Sequence, residues 1–181
     1  MNPRKVRVIC AVALCLGIFS AKAQYHLLNT SDFQGRPDCS GNVAYTNCTI
    51  DFSYQPTPAN GFYHLDFRIK VVVNKDRSWI DKSRITSGQM LDEILKHEQG
   101  HYTLAFLMQQ EMLRVFANTR FGSNYEQQVN TIFGALKNKY HQLNNDYDED
   151  TNHSIDRKQQ NSWDLYFRQQ IGQYTRVAMN N

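Results

Sequence analysis

The sequence predicts an α+β domain, on three observations. Residues 24–83 carry β-branched and aromatic residues in alternating patterns. From Ser87 onward, apolar residues recur at three- and four-residue intervals. The two textures do not interleave, so strands and helices segregate into a small, mainly antiparallel sheet packed on three helices.

Residues 1–23 read as a secretory leader. Arg4, Lys5 and Arg7 form a positive start, and residues 8–19 an apolar run too short to span a bilayer. Ala21-Lys22-Ala23 supplies a small-residue cleavage site, and Leu14 is too large to precede a lipidated Cys15. The expected mature chain, residues 24–181, is one domain, secreted or periplasmic, with no membrane span. Cleavage removes four basic and no acidic residues, leaving 16 basic against 17 acidic, a formal charge of −1. The basic balance of the full chain is therefore no reason to invoke nucleic acid or an anionic membrane. Cys10 and Cys15 leave with the leader, and Cys39 and Cys48, an even pair in an exported chain, are expected to form a disulfide.

Residues 43–52 read as a first strand, holding Val43, Tyr45, Cys48, Ile50 and Phe52 with β-branched Thr46 and Thr49 between. Residues 55–61, rich in Pro, Asn and Gly, read as a turn or loop. Residues 62–73 form the clearest strand: Tyr63, Leu65, Phe67, Ile69, Val71 and Val73 alternate with His64, Asp66, Arg68 and Lys70. Residues 74–77 read as a turn, and Ser78-Trp79-Ile80 as a short strand.

A first helix is expected from a cap at Thr86 or Ser87 to about Asn118, with Leu91, Ile94, Leu95, Leu104, Ala105, Met108, Met112, Val115 and Phe116 on its buried side. Gly122 ends that run, and Ser123 with Glu126 has the spacing of a capping box. The second helix shows Val129, Ile132, Phe133, Leu136, Tyr140 and Leu143 on one face. The Asn/Asp-rich residues 144–152 are expected to break it into a polar loop. A third helix over residues 156–177 carries Trp163, Tyr166, Phe167, Ile171 and Tyr174 at helical spacing, read as core packing.

His97-Glu98-Gln99-Gly100-His101 matches H-E-x-x-H and falls inside the strongest helix. Residues four apart share a helix face, so two imidazoles can hold one zinc ion. The carboxylate of Glu98, beside them, takes the proton of a zinc-activated water. A catalytic zinc usually has three protein ligands and an open position. The compact H-E-x-x-H-x-x-G-x-x-H form is absent, because Leu104 and Leu107 stand at its last two fixed positions. Three residues remain as third ligand: His153, which ligand preference favours; Glu126 at the start of the next helix; and Asp148, also a candidate to orient an imidazole. Tyr147 is a candidate oxyanion donor or a packing aromatic. Asp92 and Glu93 are read as favourable charges near a helix N-terminus rather than as imidazole partners. The strand at residues 62–73 is a candidate wall for an extended substrate.

HEQGHYTLAF, followed some fifty residues on by YDEDTNHSIDRKQQNSWD, resembles the secreted zinc-dependent proteases of bacteria, a largely uncharacterised zincin-like family. The matching positions are His97 to His101, then Tyr147, Asp148, Thr151, His153, Gln160 and Trp163. The residue after the late histidine is often glycine in that family and is Ser154 here. The resemblance implies a zincin-like fold and His153 as third ligand, and supplies no substrate. The leading expectation is a zinc-dependent metallopeptidase with Glu98 as general base. The alternatives are a zinc amidase acting on cell-wall peptides, with the same water chemistry, and a non-catalytic exported protein with a structural zinc. Asp148 and His153 both at the metal would favour the last.

Overall fold

The alternation over residues 62–73 becomes a strand with those bounds, β3 (Phe62–Val73). The computed structural model describes residues 25–38 and 41–179. The leader and Cys39, and with it the expected disulfide, lie outside the described residues.

β3 pairs antiparallel with β2 (Cys48–Ala59) along its whole length. The turn between them is only Asn60-Gly61, with φ of 48° and 82°. Two consecutive left-handed residues, Asn then Gly, suit a tight hairpin turn. The loop expected over residues 55–61 is therefore corrected: β2 runs through Pro56 and Pro58. Prolines two apart direct their nitrogens to the same side of a strand, so both can face the unpaired edge of a two-stranded ribbon.

The strand expected at residues 43–52 is two strands. β1 (Ala44–Tyr45) pairs antiparallel with β4 (Trp79–Ile80), and at Thr46-Asn47 the chain changes partner to enter β2. The crossing is stitched by Asn47 N donating to Ser78 Oγ at 2.9 Å and Asn74 N to Asn47 O at 2.9 Å. The sheet thus consists of two separate ribbons.

α1 (Gly88–Ala117) is capped by Ser87, whose side chain accepts from Met90 N. At 30 residues it is about 45 Å long and serves both ribbons. Near its start Ile94 packs with Phe33, Ala44 and Ile80. Farther on, Leu104, Leu107, Met112 and Phe116 join Leu65 and Ile69 of β3 in the main core. Gln109 Nε2 donates to Ile69 O at 2.8 Å, tying helix to hairpin. The segment before the sheet also docks on α1: the Gln99 side chain accepts from Leu28 N at 2.8 Å and donates to His26 O at 3.1 Å.

α2 (Tyr125–Thr151) departs from expectation at both ends. Asn124, not Ser123, is the N-cap, and no side chain caps it. Gln128 Oε1 reaches back to Gly122 N at 2.8 Å, and Glu126 is exposed, so the expected capping box does not form. At the other end the helix continues through residues 144–151 and stops at Asn152, in the left-handed region. The polar run does not break it because its core-facing positions remain filled: Tyr147 and Thr151 are fully buried, in line with Tyr140. α3 (Arg157–Met179) begins where Asp156 Oδ1 accepts from Lys158 N and Gln159 N, and its aromatic stripe packs into the main core as expected. Among the described residues no helix is long and apolar enough to cross a membrane. The architecture is α+β, with antiparallel ribbons on three helices.

Candidate metal centre

One helical turn apart on α1, His97 and His101 turn their Nε2 atoms toward each other, 3.2 Å apart. Asp148, three residues before the buried end of α2 at Thr151, places Oδ1 3.2 Å from both. His153 follows just after the helix, with Nδ1 3.4 Å from the same oxygen. Donor atoms held about 2.0–2.1 Å from a tetrahedral zinc ion stand about 3.3 Å from one another. Imidazole and carboxylate at these separations therefore fit a zinc-sized cation.

The far nitrogens of the rings are held as well. His101 Nδ1 lies 2.8 Å from Asn144 Oδ1. A carboxamide oxygen only accepts, so Nδ1 carries the proton and Nε2 is left as the donor to a metal. His97 Nδ1 sits 3.3 Å from both Gln160 Oε1 and Thr151 Oγ1, which assigns the same tautomer. Burial opposes charge on the His101 ring, but Asp148, Glu98 and Asn144 outweigh it and raise its pKa to about 9. Burial likewise opposes the Asp148 anion, yet the two imidazoles hold its carboxyl well below the usual carboxylate range.

Glu98 is 3% exposed, and its Oε2 has no hydrogen-bond partner among the described residues. It lines a cleft of about 340 Å³ together with His97, His101, Asp148 and His153. The strand-side wall of this cleft is residues 42–48 with Ile50, not β3, whose polar face looks outward. Cys48 lies in that wall, its thiol pushed up to about 12 by burial and by the nearby Glu98 charge.

Four sequence candidates take other places. Glu126 lies about 33 Å along α2 from Asp148, too far to reach the cluster. Tyr147 is fully buried, its ring stacked on His97 at 4.7 Å and 16° and its hydroxyl donating to His97 O at 2.9 Å. That hydroxyl is bonded to the α1 backbone and Tyr147 is not among the residues lining the cleft, so the ring stands behind His97 rather than at the cleft surface. Glu93 pairs with Arg157 Nη2 at 2.6 Å, joining α1 to α3, and Asp92 is exposed. Leu104 and Leu107, where a compact motif would continue, are core residues.

Sequence reasoning missed Asn144 and Gly100. Asn144 precedes Asp148 by four residues and belongs to the same face, a signal hidden once residues 144–152 are read as a loop. Gly100 has no room for a side chain: a β-carbon there would stand 2.6 Å from Tyr147 Cε1.

No curated protein and no solved structure matches the chain. A family model does match, over residues 20–154, a stretch that contains His97, Glu98, His101, Asp148 and His153 and ends before α3. On that match, which spans well over half its length, the chain belongs to the bacterial family described as "Bacterial protein of unknown function (DUF922)".

Proposed function

We propose that this protein is an exported, zincin-like zinc-dependent metallopeptidase. The observation that carries the reading is Glu98: a buried carboxylate with an unpartnered oxygen, in a cleft wall, beside two imidazoles already backed on their far sides. A purely structural metal needs no such group. His97, His101 and Asp148 would hold the ion, with His153, more than half exposed, at the rim. When bound, zinc supplies Lewis-acid polarisation of the substrate carbonyl and acidifies the attacking water. Glu98 takes the proton of that water and passes it to the leaving amine. Asn144, Gln160 and Thr151 keep both ring tautomers fixed throughout.

Glu98→Gln is the test. The variant is expected to bind about one zinc per chain as tightly as the parent and to lose hydrolysis of a mixed peptide library by at least a hundredfold. Full turnover by Glu98→Gln would end the reading. Cell-wall peptides belong in that library, because an amidase would use the same residues.

A non-catalytic metal protein is the second reading. It is favoured by Asp148 and His153 both standing beside the imidazoles, because four protein ligands would close the site. X-ray absorption on the zinc-loaded protein separates the two. Four protein ligands without an exchangeable oxygen, together with no cleavage of any library peptide, selects the structural site.

A further inference from the structure

Glu98 is not the only orphan in the cleft. Thr46, at the crossing from β1 to β2, is 8% exposed, lines the same cleft, and its Oγ1 has no hydrogen-bond partner among the described residues. Buried hydroxyls are nearly always satisfied, because one shut away from water without a partner is destabilising. The neighbouring backbone does not share this condition: Asn47 N and O are both bonded across the crossing.

The residues around it say which space this side chain borders. Ala44 is buried in one cluster with Ile94 of α1, Tyr45 is 44% exposed, and Thr46 is buried again. Ala44 and Thr46 both line the cleft opposite α1. Ile94 lies one turn before Glu98, and both line this cleft together with Cys48, two residues beyond Thr46. Thr46 therefore belongs to the strand-side wall of the cleft whose helix wall carries Ile94, His97 and Glu98. A hydroxyl donates as well as accepts, whereas an ionised carboxylate only accepts. The helix wall offers an acceptor, and the opposite wall offers a donor.

We infer that Thr46 is a substrate-binding residue whose Oγ1 donates a hydrogen bond to a carbonyl oxygen of an amide substrate lying between the two walls. This rests on the metallopeptidase reading. It adds that the substrate is gripped through its backbone amide from the β1–β2 crossing, by a hydroxyl that is hydrogen-bonded to none of the residues proposed to hold the metal.

The test uses the full mature chain, loaded with zinc and carrying Glu98→Gln to prevent turnover. The probe is an N-acetylated, C-amidated peptide chosen from those that the parent cleaves. Thr46→Val keeps the shape and removes the hydroxyl. It is expected to weaken peptide binding about tenfold, the scale of one hydrogen bond, while Thr46→Ser restores affinity. The thermal midpoint of Thr46→Val is expected to stay level or rise, since an unsatisfied buried hydroxyl has been replaced by a methyl group. Unchanged affinity in Thr46→Val overturns the inference, and so does a midpoint lowered by several degrees, which would mark a structural hydroxyl. If peptides are bound and cleaved but Thr46→Val is indifferent, this inference falls alone. If no library peptide is bound or cleaved, the metallopeptidase reading falls and takes this inference with it.

Discussion

Tyr147 fills the space that a β-carbon on Gly100 would need. The ring is fully buried and anchored by its bond to His97 O, so it cannot swing aside. Gly100→Ala is therefore expected to destabilise the fold by about 2–3 kcal/mol, although alanine is the better helix former. In a Tyr147→Leu background the same substitution should cost distinctly less. Urea unfolding of the four proteins in that cycle measures the coupling, and additive effects would show that the two residues do not compete for space.

The groups behind the imidazoles make a graded expectation for zinc. His97→Ala, His101→Ala and Asp148→Ala should each abolish tight binding. Asn144→Ala and Gln160→Ala remove only the bonds to the far ring nitrogens and should weaken affinity about 10–100-fold. His153→Ala, at the exposed rim, should fall between the parent and the Asp148 variant. Competition with a chromophoric chelator reads all six. Parent-like affinity in Asn144→Ala would remove the tautomer argument.

Glu111 provides an acid-dependent link between α1 and α2. Its carboxylate accepts from Lys139 Nζ at 2.6 Å and from the Tyr140 hydroxyl at 2.8 Å. Burial alone would raise its pKa, but Lys139, Tyr140 and Arg114 hold it below the ordinary 4.5. The folded state thus binds this proton less readily than the unfolded chain. The contribution is fully present above pH 4.5 and is lost as the pH falls through the lower, folded-state value. Glu111→Gln should cost about 1 kcal/mol at neutral pH and flatten the acid limb of the stability curve. Thermal midpoints of both proteins between pH 7 and 3 check this, and parallel curves would refute it.

Three consecutive non-glycine residues, Asn152, His153 and Ser154, have φ of 46°, 50° and 80°. This left-handed run is what turns His153 back toward Asp148. Ser154→Gly should leave stability within about 1 kcal/mol of the parent, because relief of backbone strain and the freer unfolded chain offset each other. Ser154→Val, with a branched β-carbon at φ of 80°, should be less stable by about 1–2 kcal/mol and lose the contribution of His153 to zinc affinity. Unfolding curves with and without zinc test both. Equal behaviour of the two variants would mean the turn is not under strain.

The parts of this fold that were legible were those where one local signal suffices. Two-residue alternation marked β3 to its end residues, and the Ser87 cap with its three-four spacing marked α1. The end of α2 was not legible, because Asn and Asp favour turns when read locally. Only the packing of Tyr147 and Thr151 against α1, some fifty residues away, keeps that stretch helical. The site inherited this difficulty. His97, Glu98 and His101 stand next to each other in the chain, and Asp148 could be named there as one candidate ligand among three, whereas Asn144 enters only once the helix is extended. Thr46 offered no signal at all, since nothing in an isolated threonine says that its hydroxyl will be left unpaired.

The clasp of Gln99 on residues 26 and 28 bears on how the five-letter pattern itself should be read. H-E-x-x-H leaves two letters blank, but neither is blank in this molecule. One is spoken for by the incoming chain and the other by the ring of Tyr147. A sequence that satisfied the pattern with a different pair in the middle would keep the chemistry on paper and lose the two surfaces on which the rest of the chain closes around it. For this protein, the informative spelling of the motif is all five letters.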